Sequence, residues 1–135
     1  MKRTLIDAGP LIALFDRDDI DHERCVAVSR HLHGEVVTVW PVITEASHLL
    51  ADVPRAQDAL LAKVETGDLV LADLTAADVP ILRALIQRYQ DQPMDLADAA
   101  MVRVAAREGI TEVFTLDRHF RTYRGARGRA FTLKP

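Results

Sequence analysis

Cysteine is nearly missing from this chain of 135 residues. Cys25 stands alone, so no internal disulfide can form, and the composition suits a reducing compartment. Cys25 itself reads as a small core residue on a helix. No stretch approaches the roughly 20 consecutive apolar residues that a membrane span needs. The opening Met1-Lys2-Arg3 before apolar residues faintly suggests a signal peptide, but Asp7 and the Gly9-Pro10 turn interrupt that run too early. A soluble cytoplasmic protein is expected. There is no internal repeat, no low-complexity segment, no linker and no GxxxxGK phosphate loop, Gly9 being a lone turn glycine. The histidines His22, His31, His33, His48 and His119 lack zinc-site spacing. Glu45-Ala-Ser-His48 matches the Glu-x-x-His of carboxylate-bridged di-iron bundles, but that architecture needs two such motifs and the chain has one.

Acidic residues are absent from Arg118 onward, where Arg118, Arg121, Arg124, Arg127, Arg129 and Lys134 give +6. The net charge is −3, so residues 1–117 carry −9. An acidic body with a basic end is unlike a passive scaffold, with a solvated tail as the plainer reading. Length and composition, about half apolar and a quarter charged, fit one domain over 1–135 that needs no disulfide or metal to fold.

Short β-prone runs alternate with helical segments. Thr4–Ile6, Val36–Val39, Leu69–Leu71 and Val113–Leu116 read as strands, with a last strand near Ala130–Leu133. Between them, Pro10 suits the start of a helix and Asp19 or Asp21 caps a second one reaching His31. Pro41 opens a third helix, whose apolar face is Ile43, Ala46, Leu49 and Leu50. A fourth runs from Pro54 to Gly67, and Thr75 to Asp78 resembles a capping box for a fifth that reaches about Tyr89. The sixth spans Leu96 to Glu108 and stops at Gly109. This alternation predicts an α/β fold: a mostly parallel twisted sheet of four to five strands with helices on both faces.

Ligands in such sheets bind outside the carboxyl ends of the strands. Asp7 and Asp117 each close a strand there. On the sixth helix, Arg103 and Arg107 mark the wet side, and at 100° per residue Asp98 lies roughly 140° from Arg103, beside Met101 and Ala105 on the apolar face. A carboxylate facing inward must be paired, hydrogen-bonded or bound to a cation. Asp95 reads first as the N-cap of that helix. Glu45 borders an apolar helix face, where a solvated glutamate is the alternative. Clustered like charges raise one another's pKa unless a cation sits among them, and an oxygen-only ligand set favours Mg²⁺ or Mn²⁺. Trp40, following a strand, reads as core, with base stacking as its other reading.

The blocks LIDAGPLIALFDRDDIDH, VITEASHLL, MDLADAAMVRVA and VFTLDRHF together resemble the four signature blocks of the PIN-domain nucleases, and within them the VapC-type toxins of toxin–antitoxin pairs. The likeness covers essentially the whole chain, in order. It implies that Asp7, Glu45, Asp98 and Asp117 are the catalytic, metal-binding acids, with Asp95 less general in the family. It further implies a metal-dependent endoribonuclease that uses Mg²⁺ to cut single-stranded segments of structured RNA. The implied partners are a cognate VapB-like antitoxin that blocks the site and a second copy in a homodimer that builds the RNA groove. Arg118, Arg121 and Arg124 are the foremost candidates for holding the RNA backbone. Ala8 departs from the pattern, since many relatives carry Thr or Ser after the first Asp. Two rivals are a haloacid-dehalogenase-type phosphatase, which would need an Asp where Gly9 stands, and a non-catalytic binding scaffold on the same fold.

Overall fold

The computed structural model describes residues 2–135. Five strands, β1 (Arg3–Ile6), β2 (Glu35–Thr38), β3 (Leu69–Leu71), β4 (Glu112–Phe114) and β5 (Thr132–Lys134), form one sheet in the order β3-β2-β1-β4-β5, and every neighbouring pair is parallel. The chain moves outward from β1 through β2 to β3, then crosses back to place β4 on the other side of β1. That reversal makes a crevice at the carboxyl ends of β1 and β4, the position where open α/β sheets bind ligands.

Six helices make the crossovers: α1 (Ala8–Phe15), α2 (His22–Ser29), α3 (Trp40–Leu49), α4 (Pro54–Thr66), α5 (Val79–Arg88) and α6 (Leu96–Glu108). Helices α1 to α4 pack among themselves, and α5 packs on α6. Right-handed crossovers in opposite directions put the two groups on opposite faces of the sheet. Helix α6 buries eight of its 13 residues, Ala97 through Val102, Val104 and Ala105. Its run of alanines lets the helix approach the sheet closely, where Leu5, Ile6, Val113 and Phe114 form the centre of the core.

Local signals explain the boundaries. Asp95 caps α6 and Gly109, at φ 70°, ends it in the left-handed conformation that glycine tolerates. Gly67 does the same for α4 at φ 84°. Helix α1 begins at Ala8, two residues before Pro10, because the Asp7 side chain accepts the Ala8 N–H and supplies the cap. Pro10 falls inside the first turn, where its missing N–H costs nothing. Strand β4 is shorter than its apolar run, and β5 lies about two residues later than its sequence suggests. Cys25 is buried on α2, as its size and polarity implied.

Three readings need correction. Arg103 and Arg107 do not simply face water: Arg103 Nε donates to Asp78 at 2.8 Å, Arg107 lies 3.7 Å from the same carboxylate, and together they fasten α6 to the turn before α5. Thr75 and Asp78 form the capping box, but it heads a short 3-10 turn (Ala76–Asp78) that leads into α5. The basic segment after Asp117 is no solvated tail. Phe120 and Tyr123 are fully buried, and Tyr89, Tyr123, Phe120 and Phe131 stack edge to face with centroids 5.0–6.2 Å apart, tying the segment to the core.

Candidate metal centre

The carboxyl ends of β1 and β4 carry Asp7 and Asp117, and the amino end of α6 brings Asp95 and Asp98 to the same rim. These four and Glu45 of α3 line a cavity of about 250 Å³ with Ala8, Gly9 and Leu116. One carboxylate oxygen each from Asp7, Asp98 and Asp117 lie within 4.8 Å of one another. Glu45 and Asp95 stand outside this tightest group but share its cavity.

Each acid is held by a different device. Asp7 is 8 % exposed: its Oδ1 accepts the Ala8 N–H at 2.8 Å and its Oδ2 accepts the Thr115 hydroxyl at 2.8 Å. Thr115 then accepts the Asp117 N–H at 3.0 Å, so one hydroxyl connects both strand-end acids. Thr115 was not singled out from the sequence. The signal was local, since a threonine hydroxyl can accept the backbone N–H two residues on, here that of Asp117. It also answers the question posed by Ala8: a hydroxyl reaches Asp7 from the neighbouring strand end.

Asp95 and Asp98 form a reciprocal capping box, in which Asp95 Oδ1 accepts the Asp98 N–H at 2.8 Å and Asp98 Oδ2 accepts the Asp95 N–H at 3.2 Å. Asp98 therefore caps its helix and faces the cluster at once. It is 8 % exposed, on the inward side that helical spacing indicated. No lysine or arginine forms an ion pair with Asp7, Glu45, Asp95 or Asp98 among the described residues. Burial pushes the Asp98 carboxyl up to about 8, and the neighbouring Asp95, Asp7 and Asp117 charges add to the rise. Burial likewise raises Asp7, against the two hydrogen bonds it accepts. Glu45 is raised by partial burial and then by Asp7, Asp95 and Asp117.

Crowded, unpaired carboxylates of this kind repel one another, and a divalent cation relieves them. The donors are all oxygen, which suits Mg²⁺ or Mn²⁺. With metal–oxygen distances of about 2.1 Å, two oxygens on one Mg²⁺ are at most about 4.2 Å apart. A trio within 4.8 Å is of the right size to close on one ion with small side-chain rotations.

Of the basic candidates, Arg118 and Arg121 are exposed in the 3-10 turn after Asp117. Arg124 is half-buried, and its Nη1 donates to the backbone carbonyls of Arg121, Thr122 and Tyr123 at 2.8–3.0 Å, which occupies that end of the guanidinium. Arg127 and Arg129 line a separate cleft with Arg107 and Gly109 at the far end of α6. Trp40 is not core: it is 58 % exposed at the head of α3, beside an apolar hollow shared with Leu96 and Glu45. Leu49, expected on the buried face of α3, is 58 % exposed as well.

Comparison with known proteins agrees with this geometry. The PIN domain family profile matches residues 4–126. The chain is 34 % identical over 137 residues to ribonuclease VapC26 of Mycobacterium tuberculosis, a match covering 97 % of this chain and 99 % of that protein. Among solved structures, VapC20 of the same organism, described as a sarcin-ricin-loop-cleaving toxin, superposes with a TM-score of 0.77 at 19 % identity, over 84 % of this chain and 89 % of that one. VapBC2 from Rickettsia felis, solved with a DNA fragment of its promoter, gives a TM-score of 0.63 at 9 % identity over 98 % and 99 % of the two chains. With the sheet order and the acidic crevice, these likenesses leave one assignment: the chain belongs to the PIN-domain family.

Proposed function

We propose that the protein is a metal-dependent endoribonuclease, acting in the cytoplasm as the toxin of a toxin–antitoxin pair, with Asp7, Glu45, Asp98 and Asp117 as its catalytic and metal-binding acids. The observation that carries this reading is the trio of carboxylate oxygens from Asp7, Asp98 and Asp117 within 4.8 Å at the topological switch point, with no lysine or arginine paired to them among the described residues. Family membership and the likeness to a ribonuclease support it.

Mg²⁺ held there, or Mn²⁺ in its place, supplies a lowered pKa for a bound water and positive charge against the phosphate oxygens during in-line attack. The chain does the rest. Asp7, Asp98 and Asp117 set the position of the ion, with Glu45 reaching the same cavity from α3 and Asp95 fixing Asp98 through the capping box. The Asp98 carboxyl, raised to about 8, would give up its proton on binding the cation. Acids repel an RNA backbone, so attraction must come from elsewhere. Arg118 and Arg121, one and four residues beyond Asp117, are placed to supply it, and Arg124 contributes chiefly by closing the turn that carries them.

The antitoxin partner is supported by the toxin–antitoxin complexes among the structural neighbours. A homodimer is supported by the exposed Trp40, Leu61 and Leu96, which line two adjoining hollows on α3, α4 and α6. The phosphatase alternative needs a second carboxylate where Gly9 stands, and family membership displaces that reading.

Incubating purified protein with an RNA pool tests the proposal. Cleavage should require Mg²⁺ or Mn²⁺, stop with chelator, and fall more than about tenfold in Asp7→Asn and in Asp98→Asn. Metal-independent cleavage, or none by protein shown to bind the ion, would contradict it.

A further inference from the structure

The crossover from β4 to β5 is basic from end to end. Because these strands are parallel, the chain must return from the carboxyl edge of the sheet to the amino edge. Residues 118–131 make that return with five arginines and no acid. The segment begins at the acid crevice with Arg118 and Arg121. It ends in a tight hairpin packed against α6, where Arg124 and Ala130 form an antiparallel bridge. The proposed chemistry uses the first half of this segment and leaves the second half idle.

Arg127 stands at the hairpin tip. The Arg129 N–H donates to the Ala126 carbonyl at 3.2 Å, and the Gly125 N–H donates to the Arg129 carbonyl at 2.9 Å. Arg127 (φ 57°) and Gly128 (φ 70°) are both left-handed, and Arg127 is the one non-glycine with positive φ among the described residues. Turns with two left-handed residues normally place Asn, Asp or Gly first, so arginine there is strained. Strain of this kind, which turn chemistry does not demand, points to a use for the side chain. The hairpin is nonetheless firmly seated. A Cβ on Gly125 would come within 2.8 Å of the Phe131 ring, and Phe131 packs edge to face on the buried Phe120.

Together with the last turn of α6, the hairpin forms a cleft of about 410 Å³ lined by Arg107, Glu108, Arg127, Arg129 and Phe131. Neither Arg127 nor Arg129 forms an ion pair among the described residues. The acid in the cleft, Glu108, is already held by Arg3 and Arg107 at 2.8 Å each, so positive charge is in excess. The carbonyl end of α6 offers an anion no backbone donors. Recognition therefore falls to the guanidinium forks, which match phosphate oxygens in pairs. Ten helical residues at 1.5 Å each put Glu108 about 15 Å from Asp98.

Resting on the endoribonuclease reading above, we propose that this cleft is a second phosphate-binding subsite, holding the RNA backbone about 15 Å from the bond that is cut. The arginines follow one another along the crossover instead of converging on one point, which suits a polyanion better than a single carboxylate. The subsite touches no reacting atom. Its contribution is to substrate affinity, and removing it should leave the chemical step intact.

Fluorescently labelled bulk transfer RNA is the probe, bound in chelator so that no metal is needed, with anisotropy followed from about 50 to about 300 mM KCl. One variant combines Arg127→Ala with Arg129→Ala. A second, Arg127→Gly, removes the charge and relieves the turn. The control combines Arg30→Ala with Arg55→Ala, which strips equal charge from the end of α2 and from α4 on the other face of the sheet. The hairpin double variant should bind more weakly, with a log–log salt slope flatter by roughly 1.4, or about 0.7 per lost contact. Arg127→Gly should lose about half of that while melting at or above the wild-type temperature. The control should keep the wild-type slope. With Mg²⁺ restored, the double variant should cleave RNA with raised KM and unchanged kcat. An unchanged slope in the double variant would overturn the proposal and leave the cleft to a protein partner. Equal flattening by the control would overturn it too, by reducing the effect to net charge. A wild type that binds RNA and loses slope in this way, yet never cuts it, would support the subsite and count against the nuclease reading alone.

Discussion

At Asp98 one carboxylate accepts the Asp95 N–H at 3.2 Å and also stands within 4.8 Å of oxygens from Asp7 and Asp117. Without a cation the second arrangement works against the charged form, which is why burial and its acidic neighbours raise Asp98 to about 8. The consequence for stability has a definite sign. The folded, metal-free protein holds a proton on Asp98 that the unfolded chain, with an ordinary aspartate at 3.8, has released. Stability from this group is full below that ordinary value and is lost as pH rises toward about 8. Asp78 and Glu108, lowered by their hydrogen bonds, act in the opposite sense only in the acid range. Melts in chelator should therefore show a lower melting temperature at pH 8.5 than at pH 5.5, and millimolar Mg²⁺ should abolish the decline, because metal binding displaces the proton. A metal-free melting temperature that does not fall over this window would place Asp98 outside a charge cluster. Thr115 is tested separately. Thr115→Val removes the hydroxyl shared by Asp7 and the Asp117 N–H, and should cost about 1–3 kcal/mol in urea unfolding together with a loss of cleavage. Thr115→Ser should retain most of both.

Among the elements, α6 was the most legible. Its ends follow from a cap at Asp95 and a left-handed glycine at Gly109, both of which act within a few residues. Asp95→Ala should cost about 1 kcal/mol of stability while leaving Asp98 able to bind metal, which separate denaturation and Mn²⁺ titrations can resolve. The inward direction of Asp98 was also readable, since angular position on a helix depends on spacing alone. What the sequence concealed depends on neighbours. Thr115 acquires its role only because β1 brings Asp7 beside β4, a contact between residues 108 apart. Trp40 and Leu49 are apolar and were assigned to the interior, yet both are exposed on α3. Helical spacing reports which residues are apolar, not which surface covers them. Arg103 and Arg107 show the converse: charged side chains expected in water are engaged by Asp78, which the capping-box pattern placed before α5 but no local pattern brings beside α6.

Across the whole molecule, an acidic crevice and a folded basic segment meet near Asp117, and the apolar surface of α3 and α6 opens beside them. The charge arrangement predicts that replacing Arg118 and Arg121 by alanine weakens RNA binding and flattens its salt dependence, by roughly 0.7 in the log–log slope for each lost contact to a single strand. An unchanged slope would mean that the RNA path avoids this turn. For the apolar face, Trp40→Glu or Leu96→Glu should dissociate the proposed dimer in sedimentation, and a wild type that sediments as a monomer, or variants that sediment like a dimeric wild type, would contradict an interface there. The central claim, that the inward acids form a cation site, is tested most directly by thermal unfolding of wild type and Asp98→Asn, each with chelator and with millimolar Mg²⁺. Without metal, the variant should melt at or above the wild-type temperature, because one of several repelling charges is gone and asparagine still offers an oxygen to the Asp95 N–H. Added Mg²⁺ should stabilise wild type by mass action, about 2.7 kcal/mol at a hundredfold excess over the dissociation constant, and stabilise the variant far less. A variant that melts lower without metal and responds to Mg²⁺ as strongly as wild type would show that Asp98 serves the helix and not the site.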